Sequence, residues 1–206
     1  MFSRQLLTRG AVAVGTIALV GASTLGPATA GTAHSGARGH VTYVAFQGGK
    51  TTLALNAKTA QVLTDNGISV TPVSEAKVTK AGIAFPIQGG MVKAKTLAGK
   101  ITHSGGLNFS AGGKDLTIRD FTVNTKSGTL TAYVEQVGKR LTILDLNLAK
   151  AKVHLAKKQV TVKNVRATLA KGAAAALNGY YGTTLFKGGL KIGVATVSGK
   201  IKVLAG

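Results

Sequence analysis

The sequence predicts a mostly β protein, a two-sheet antiparallel β-sandwich carrying two short helices. Apolar and polar residues alternate in short runs along most of the chain, the period expected of half-buried strands. Glycines, 28 among 206 residues, punctuate those runs. Only two segments, 56–67 and 169–182, place their apolar residues at helical spacing.

Residues 1–30 stand apart from this pattern. Arg4 and Arg9 precede an apolar run from Ala11 to Gly21, shorter than the roughly 20 residues a spanning helix needs. Ala28-Thr29-Ala30 offers the small-residue site of a signal peptidase. Gln5 stands where a twin-arginine motif would need its second arginine, so general secretion is expected, with the mature chain starting at Gly31. Residues 31–40 are a small, polar, glycine-rich lead-in. Residues 41–206 form one domain, long enough to bury roughly 70% of its extended-chain surface.

Within that domain, Val41, Tyr43 and Ala45 begin a strand, and Gly48-Gly49 is expected to turn the chain into Thr51–Leu55. Asn56 caps a helix with apolar Ala57, Ala60 and Leu63, ended by Gly67. Ile68-Ser69-Val70 is a strand expected to stop at Thr71-Pro72. Ile101–His103 and Leu107–Phe109 flank Ser104-Gly105-Gly106, which reads as a tight hairpin turn. A meander follows, with turns at Gly112-Gly113, Ser127-Gly128, Gly138-Lys139 and Lys157-Lys158. The alternation slips between Ile143 and Leu144, the mark of a bulge or of a strand changing sheets. Leu169, Ala173, Ala176, Leu177 and Tyr180 or Tyr181 line one face of the second helix, ended by Gly182. Strands at 190–197 and 201–204 close the domain, with no hydrophobic tail after them.

Composition excludes several function classes. The chain has no cysteine, so neither disulfides nor thiolate metal sites contribute. Its 26 basic residues against 6 acidic ones give a formal charge of +20. Most of the cations are scattered lysines, hydrated point charges without the planar fork that grips bases and phosphates in pairs. With no tryptophan and few aromatics, a stacking platform for single strands is not expected. A specific nucleic-acid partner is therefore not predicted. Anionic envelope polymers or lipid head groups are the natural partners of such a charge, and a lysine-rich solvated surface is the plain alternative.

Catalytic constellations are missing as well. The six acids form no carboxylate pair, and no glycine-rich phosphate loop joins a strand to a helix. Ser104 follows His103 directly, and strand neighbours point to opposite faces, which argues against a relay between them. The four histidines lack metal-ligand spacing: His34 and His40 lie in the lead-in, and His154 should face solvent with Lys152. His103, where a strand ends, is either a surface histidine or a group held in a pocket. Tyr180 and Tyr181 are either aromatic plugs at a helix end or pocket residues.

Three segments carry a resemblance: Phe85-Pro86-Ile87, Ile101–Ser110 and Leu177–Thr183. With Leu116–Asp120 and Gly128-Thr129-Leu130 between them, they resemble the HtaA domain, a secreted haem-binding module of high-GC Gram-positive bacteria. The resemblance implies a β-sandwich that binds haem at the cell surface without catalysis. It implies a haem-binding set of His103, Tyr180 and Tyr181, with a tyrosine phenolate on ferric iron, a histidine supporting it, and lysines receiving the propionates. No separate metal site is implied. The family's N-terminal tryptophan and the iron-binding tyrosine after it have no counterpart here, since the helix at 56–66 holds no tyrosine. The alternative is a basic, non-enzymatic envelope protein that binds anionic polymers and has lost the haem site.

Overall fold

The computed structural model describes residues 41–205. The expected signal peptide (1–30), its cleavage site and the lead-in (31–40) lie outside the described residues. In chain order the elements are β1 (Tyr43–Leu55), α1 (Ala57–Asp65), β2 (Ser69–Val73), β3 (Lys77–Thr79), β4 (Gly82–Lys93), β5 (Gly99–His103) and β6 (Gly106–Ala111). Then come β7 (Lys114–Asn124), β8 (Thr129–Val134), a single 3-10 turn (Glu135–Val137), β9 (Lys139–Asn147), β10 (Lys152–Ala156), β11 (Gln159–Leu169), α2 (Lys171–Tyr181) and β12 (Lys191–Leu204).

The mostly β class and the two helices agree with the sequence. The two-sheet sandwich does not. All strands belong to one antiparallel sheet, in which β7, β5, β4, β1, β12, β11, β9 and β8 follow one another and β8 pairs back onto β7. The result is a closed eight-stranded barrel, an arrangement that removes most free strand edges. β2 and β6 extend the sheet beyond β7, β3 pairs with β4, and β10 pairs with β11 alone.

Closure depends on long strands that bend, and the expected turns inside them are bends instead. β1 runs straight through Gly48-Gly49, and β12 runs through Ser198-Gly199; the two glycine steps face each other, with Gly49 opposite Gly199. A Cβ on Gly49 would lie 2.2 Å from the Ser198 carbonyl oxygen, so only glycine allows this approach. β2 likewise continues through Pro72, which an edge strand tolerates because its N–H side needs no partner.

The Ser104-Gly105-Gly106 step is not a hairpin turn either. β5 and β6 do not pair with each other. Both pair with β7, β5 against Thr122–Asn124 and β6 against Lys114–Arg119. They form one line of chain kinked at Ser104-Gly105, matched by an irregularity in β7 where Asp120 has φ of 55° and donates its N–H to the Gly105 carbonyl at 3.1 Å. The slip at Ile143 is a bulge: Leu130 pairs with Leu144 and Thr131 with Thr142, leaving Ile143 unpaired.

Both helices obey their sequence signals. Asn56 Oδ1 accepts from the Thr59 N–H at 3.2 Å and starts α1. Gly182, with φ of 68°, ends α2 in the left-handed conformation. One core joins the helices to the strands around Phe85, Leu107, Phe121, Leu169 and Phe186. A second, around Val44, Phe46, Ile87, Ile101, Val160 and Ile201, fills the end that bears the β4–β5 turn.

Candidate functional site

Within the first core, and reaching Ile101 of the second, lies an apolar cavity of about 430 Å³. Inward residues of β1, β4, β5, β7, β9, β11 and β12 line it, and α1 and α2 cover part of it through Leu63, Ala173, Leu177 and Tyr180. An eight-stranded barrel is just wide enough for side chains to fill it or for one small ligand, and this volume falls within the roughly 300–1,000 Å³ of small-molecule sites.

His103 is the ionisable nitrogen on that wall. The kink after β5 aims its ring inward, so it is 3% exposed and not the surface histidine that a turn would have given. Its Nε2 shares a hydrogen bond of 2.7 Å with Thr51 Oγ1, reached across β4 inside the barrel. Its Nδ1 is buried without a well-formed partner. Burial pushes the imidazole down to about 4, and the Phe121 backbone only partly offsets that. The ring is therefore neutral at physiological pH, with Nε2 held by Thr51 and Nδ1 without a well-formed bond beside the Phe121 backbone. Phe85 and Phe121 meet edge to face in the same wall, with ring centroids 5.0 Å apart.

The tyrosines are placed differently. Tyr180 lines the main cavity, whereas Tyr181 lines a smaller one of about 240 Å³ with Ile68, Ala111 and Lys114. Both hydroxyls are engaged with backbone. Tyr180 donates to the Asp115 carbonyl at 2.5 Å and Tyr181 to the Phe109 carbonyl at 2.8 Å. These bonds fasten the end of α2 to the β6–β7 hairpin, and Lys114 Nζ adds a bond to the Tyr180 carbonyl at 2.9 Å. The Tyr181 phenol is pushed up to about 12, first by burial and then by Tyr180 and Asp115. His103 and Tyr180 thus share a cavity with no hydrogen bond between them, and Tyr181 stands outside it.

Thr51 is the site residue that sequence reasoning missed. Its alternation with Leu53 and Leu55 places it on the inward face, a signal usable only once β1 is known to continue past Gly48-Gly49. Among the described residues, no group of three His, Asp or Glu side chains is placed to hold a metal ion.

A search of the curated proteins finds no match. Among solved structures, the C-terminal domain of HtaA from Corynebacterium glutamicum is similar, with a TM-score of 0.58 at 16% identity, covering 77% of this chain and 99% of that one. The N-terminal domain of the same protein gives 0.52 at 14% identity, covering 76% and 98%. At these identities the likeness concerns the fold. The family model HtaA (Htaa) matches residues 42–185, and the chain belongs to the HtaA family.

Proposed function

We propose that this chain is an exported, non-enzymatic domain that binds haem in the barrel cavity, with His103 facing the macrocycle. Family membership supplies the ligand class. The observation that carries the assignment is the buried neutral imidazole, its Nδ1 without a well-formed hydrogen bond beside the Phe121 backbone, set in an otherwise apolar wall. A flat apolar ring suits that wall, and a poorly satisfied buried nitrogen costs free energy until something satisfies it. Haem, when bound, supplies an iron that nitrogen or phenolate donors can ligate. This chain's own residues exclude water, hold the imidazole through Thr51 and keep it deprotonated by burial. Both tyrosine hydroxyls serve carbonyls, so Tyr180 closes the wall and Tyr181 anchors α2 from outside.

Titration of hemin, followed by visible absorption, tests this reading. His103→Ala should weaken binding at least about 10-fold, since even outer partners of a metal ligand contribute that much. Tyr181→Phe should leave the spectrum unchanged. Loss of a charge-transfer band in Tyr180→Phe or Tyr181→Phe, with His103→Ala unaffected, would return the iron to a phenolate and refute the assignment.

One observation favours a second reading, a basic envelope protein that binds anionic polymers. Among the described residues both ion pairs involve Arg119, joined to Asp120 and to Glu135, which leaves the lysines without acidic partners. Binding to a teichoic-acid-like polymer that fades with added salt would support it.

A further inference from the structure

The barrel is closed by the β8–β7 pairing, but its rim opens along one seam beside β10. β9 pairs with β11 over Arg166–Leu169 and β10 over Gln159–Lys163, so the two strands follow each other along β11 with a gap at 148–151. Asn164, with φ of 65°, sits in the matching irregularity of β11, and its Nδ2 donates to the Lys150 carbonyl at 2.9 Å. Unlike β9, β10 has no second neighbour. Val153 and Leu155 lie opposite Val162 and Val160, and directly opposed residues share a face. Both therefore point to the barrel's inner side, yet they remain 41% and 48% exposed because nothing closes the seam over them. Leu130, Leu146, Leu148 and Val162, each half-buried, lead from this opening into the main cavity.

The rim of the opening is tied together by hydrogen bonds. Thr125 Oγ1 donates to the Leu97 carbonyl at 2.6 Å, joining the β7–β8 turn to the β4–β5 turn. The Leu146 N–H donates to the Gly128 carbonyl at 2.7 Å, joining that turn to β9. Lys126, Lys150, Lys152 and Lys163 lie on these segments, all exposed. Lys152 and Lys163 are direct cross-strand partners, a like-charge pair that opposes folding. The acid nearest along these strands is Asp145, paired across to Thr129 and Thr168 and separated from the cavity-lining Leu144 and Leu146 by strand alternation. The cavity thus reaches a rim that carries lysines, and among the described residues no lysine forms an ion pair.

We infer that this seam admits a monomeric long-chain carboxylate, its aliphatic tail entering past Leu148 and Val162 and its anionic head held by Lys126 and Lys150, which lie in the turns at the rim. The inference shares the cavity with the haem reading but not its histidine chemistry. Flexible tails suit the mixture of leucine, valine and isoleucine on the wall, and the exposed faces of Val153 and Leu155 give the tail's outer end an apolar bed. The head group is specified by charge alone, because lysine selects anions without reading their shape.

The experiment uses the purified full chain. Because the sequence has no tryptophan, Leu148→Trp supplies a single reporter at the passage, and palmitate is the probe, with calorimetry on the unaltered chain as the parallel measurement. Palmitate should bind saturably near one equivalent. Within a series of shorter acids, each added methylene should tighten binding about fourfold until the cavity is filled. The variant K126Q/K150Q, surface changes that leave the core intact, should weaken palmitate roughly tenfold or more at low salt. A trimethylammonium amphiphile of equal chain length should bind no better than it does to that variant. Equal binding of the two amphiphiles, or no effect of the lysine changes, would overturn the inference. Preference for phosphatidylglycerol vesicles over monomeric palmitate would overturn it in favour of a membrane surface. Hemin is titrated into the same samples: lost hemin binding with palmitate intact defeats the haem reading alone, and the converse defeats this one alone.

Discussion

Replacing His103 by glutamine isolates the energetic consequence of burying a titratable ring in an apolar barrel. Glutamine retains an amide that can meet Thr51 Oγ1 but cannot titrate near neutrality. In the unfolded chain the imidazole protonates around its ordinary 6.5, whereas in the folded chain it does so only near 4. Between those values the unfolded state binds the extra proton, so stability from this group is complete above about pH 6.5. It declines as the pH falls and levels off below about 4. At about 1.4 kcal/mol for each pH unit, the loss across the window is roughly 3 kcal/mol. Urea unfolding of the parent and of His103→Gln at closely spaced pH values from about 7.5 to about 4 gives the comparison. Carboxylate titration is common to both proteins and cancels in the difference. The parent should lose roughly 3 kcal/mol more than the variant, most of it between about pH 6.5 and 4. Parallel curves would show that His103 is hydrated or already protonated, and the argument for a neutral nitrogen in the cavity would fall.

Three further changes probe the frame around the cavity. Gly105→Ala should destabilise by about 3 kcal/mol or more, because φ there is 80° and a Cβ would lie 2.5 Å from the Ala76 backbone nitrogen, with no flexible atom to yield; thermal unfolding measures it. Thr51→Val should cost about 1–3 kcal/mol by leaving His103 Nε2 unsatisfied, and in a double-mutant cycle with His103→Gln most of that cost should vanish. Tyr181→Phe removes the bond to the Phe109 carbonyl and should cost about 1 kcal/mol, read as faster amide exchange along α2 before any global change.

How much of this was legible beforehand depends on whether the signal was local. The caps of α1 and α2, the hairpin glycines and the Ile143 bulge were readable because each is decided by neighbours in sequence, as with Asn56 Oδ1 on the Thr59 N–H. Barrel closure was not, since the β7–β8 pairing differs from any other hairpin only in what the far side of the sheet does. Glycine steps misled twice for one reason: a pair such as Gly48-Gly49 or Gly105-Gly106 serves a turn or a close backbone approach equally well. The choice is made by Ser198 and Ile118, residues distant in the chain. For His103 the sequence leaves a surface and a pocket reading open, and the kink at Ser104-Gly105, invisible in the local pattern, is what buries it. Tyr180 and Tyr181 were singled out by resemblance. Their hydroxyl partners at Asp115 and Phe109 lie some 65 and 72 residues away and left no trace in the sequence.

The central claim, that the barrel cavity receives haem beside a neutral His103, meets its most direct test in a hemin titration of the purified protein near pH 7.5, where the imidazole is neutral, and again near pH 4, where about half of it is protonated. Saturable binding near one equivalent at the higher pH is predicted, with a Soret band that shifts in His103→Ala and an affinity about twofold lower near pH 4 in the parent but not in His103→Ala. Non-saturable binding in the parent, or an identical spectrum and affinity in His103→Ala, would contradict it.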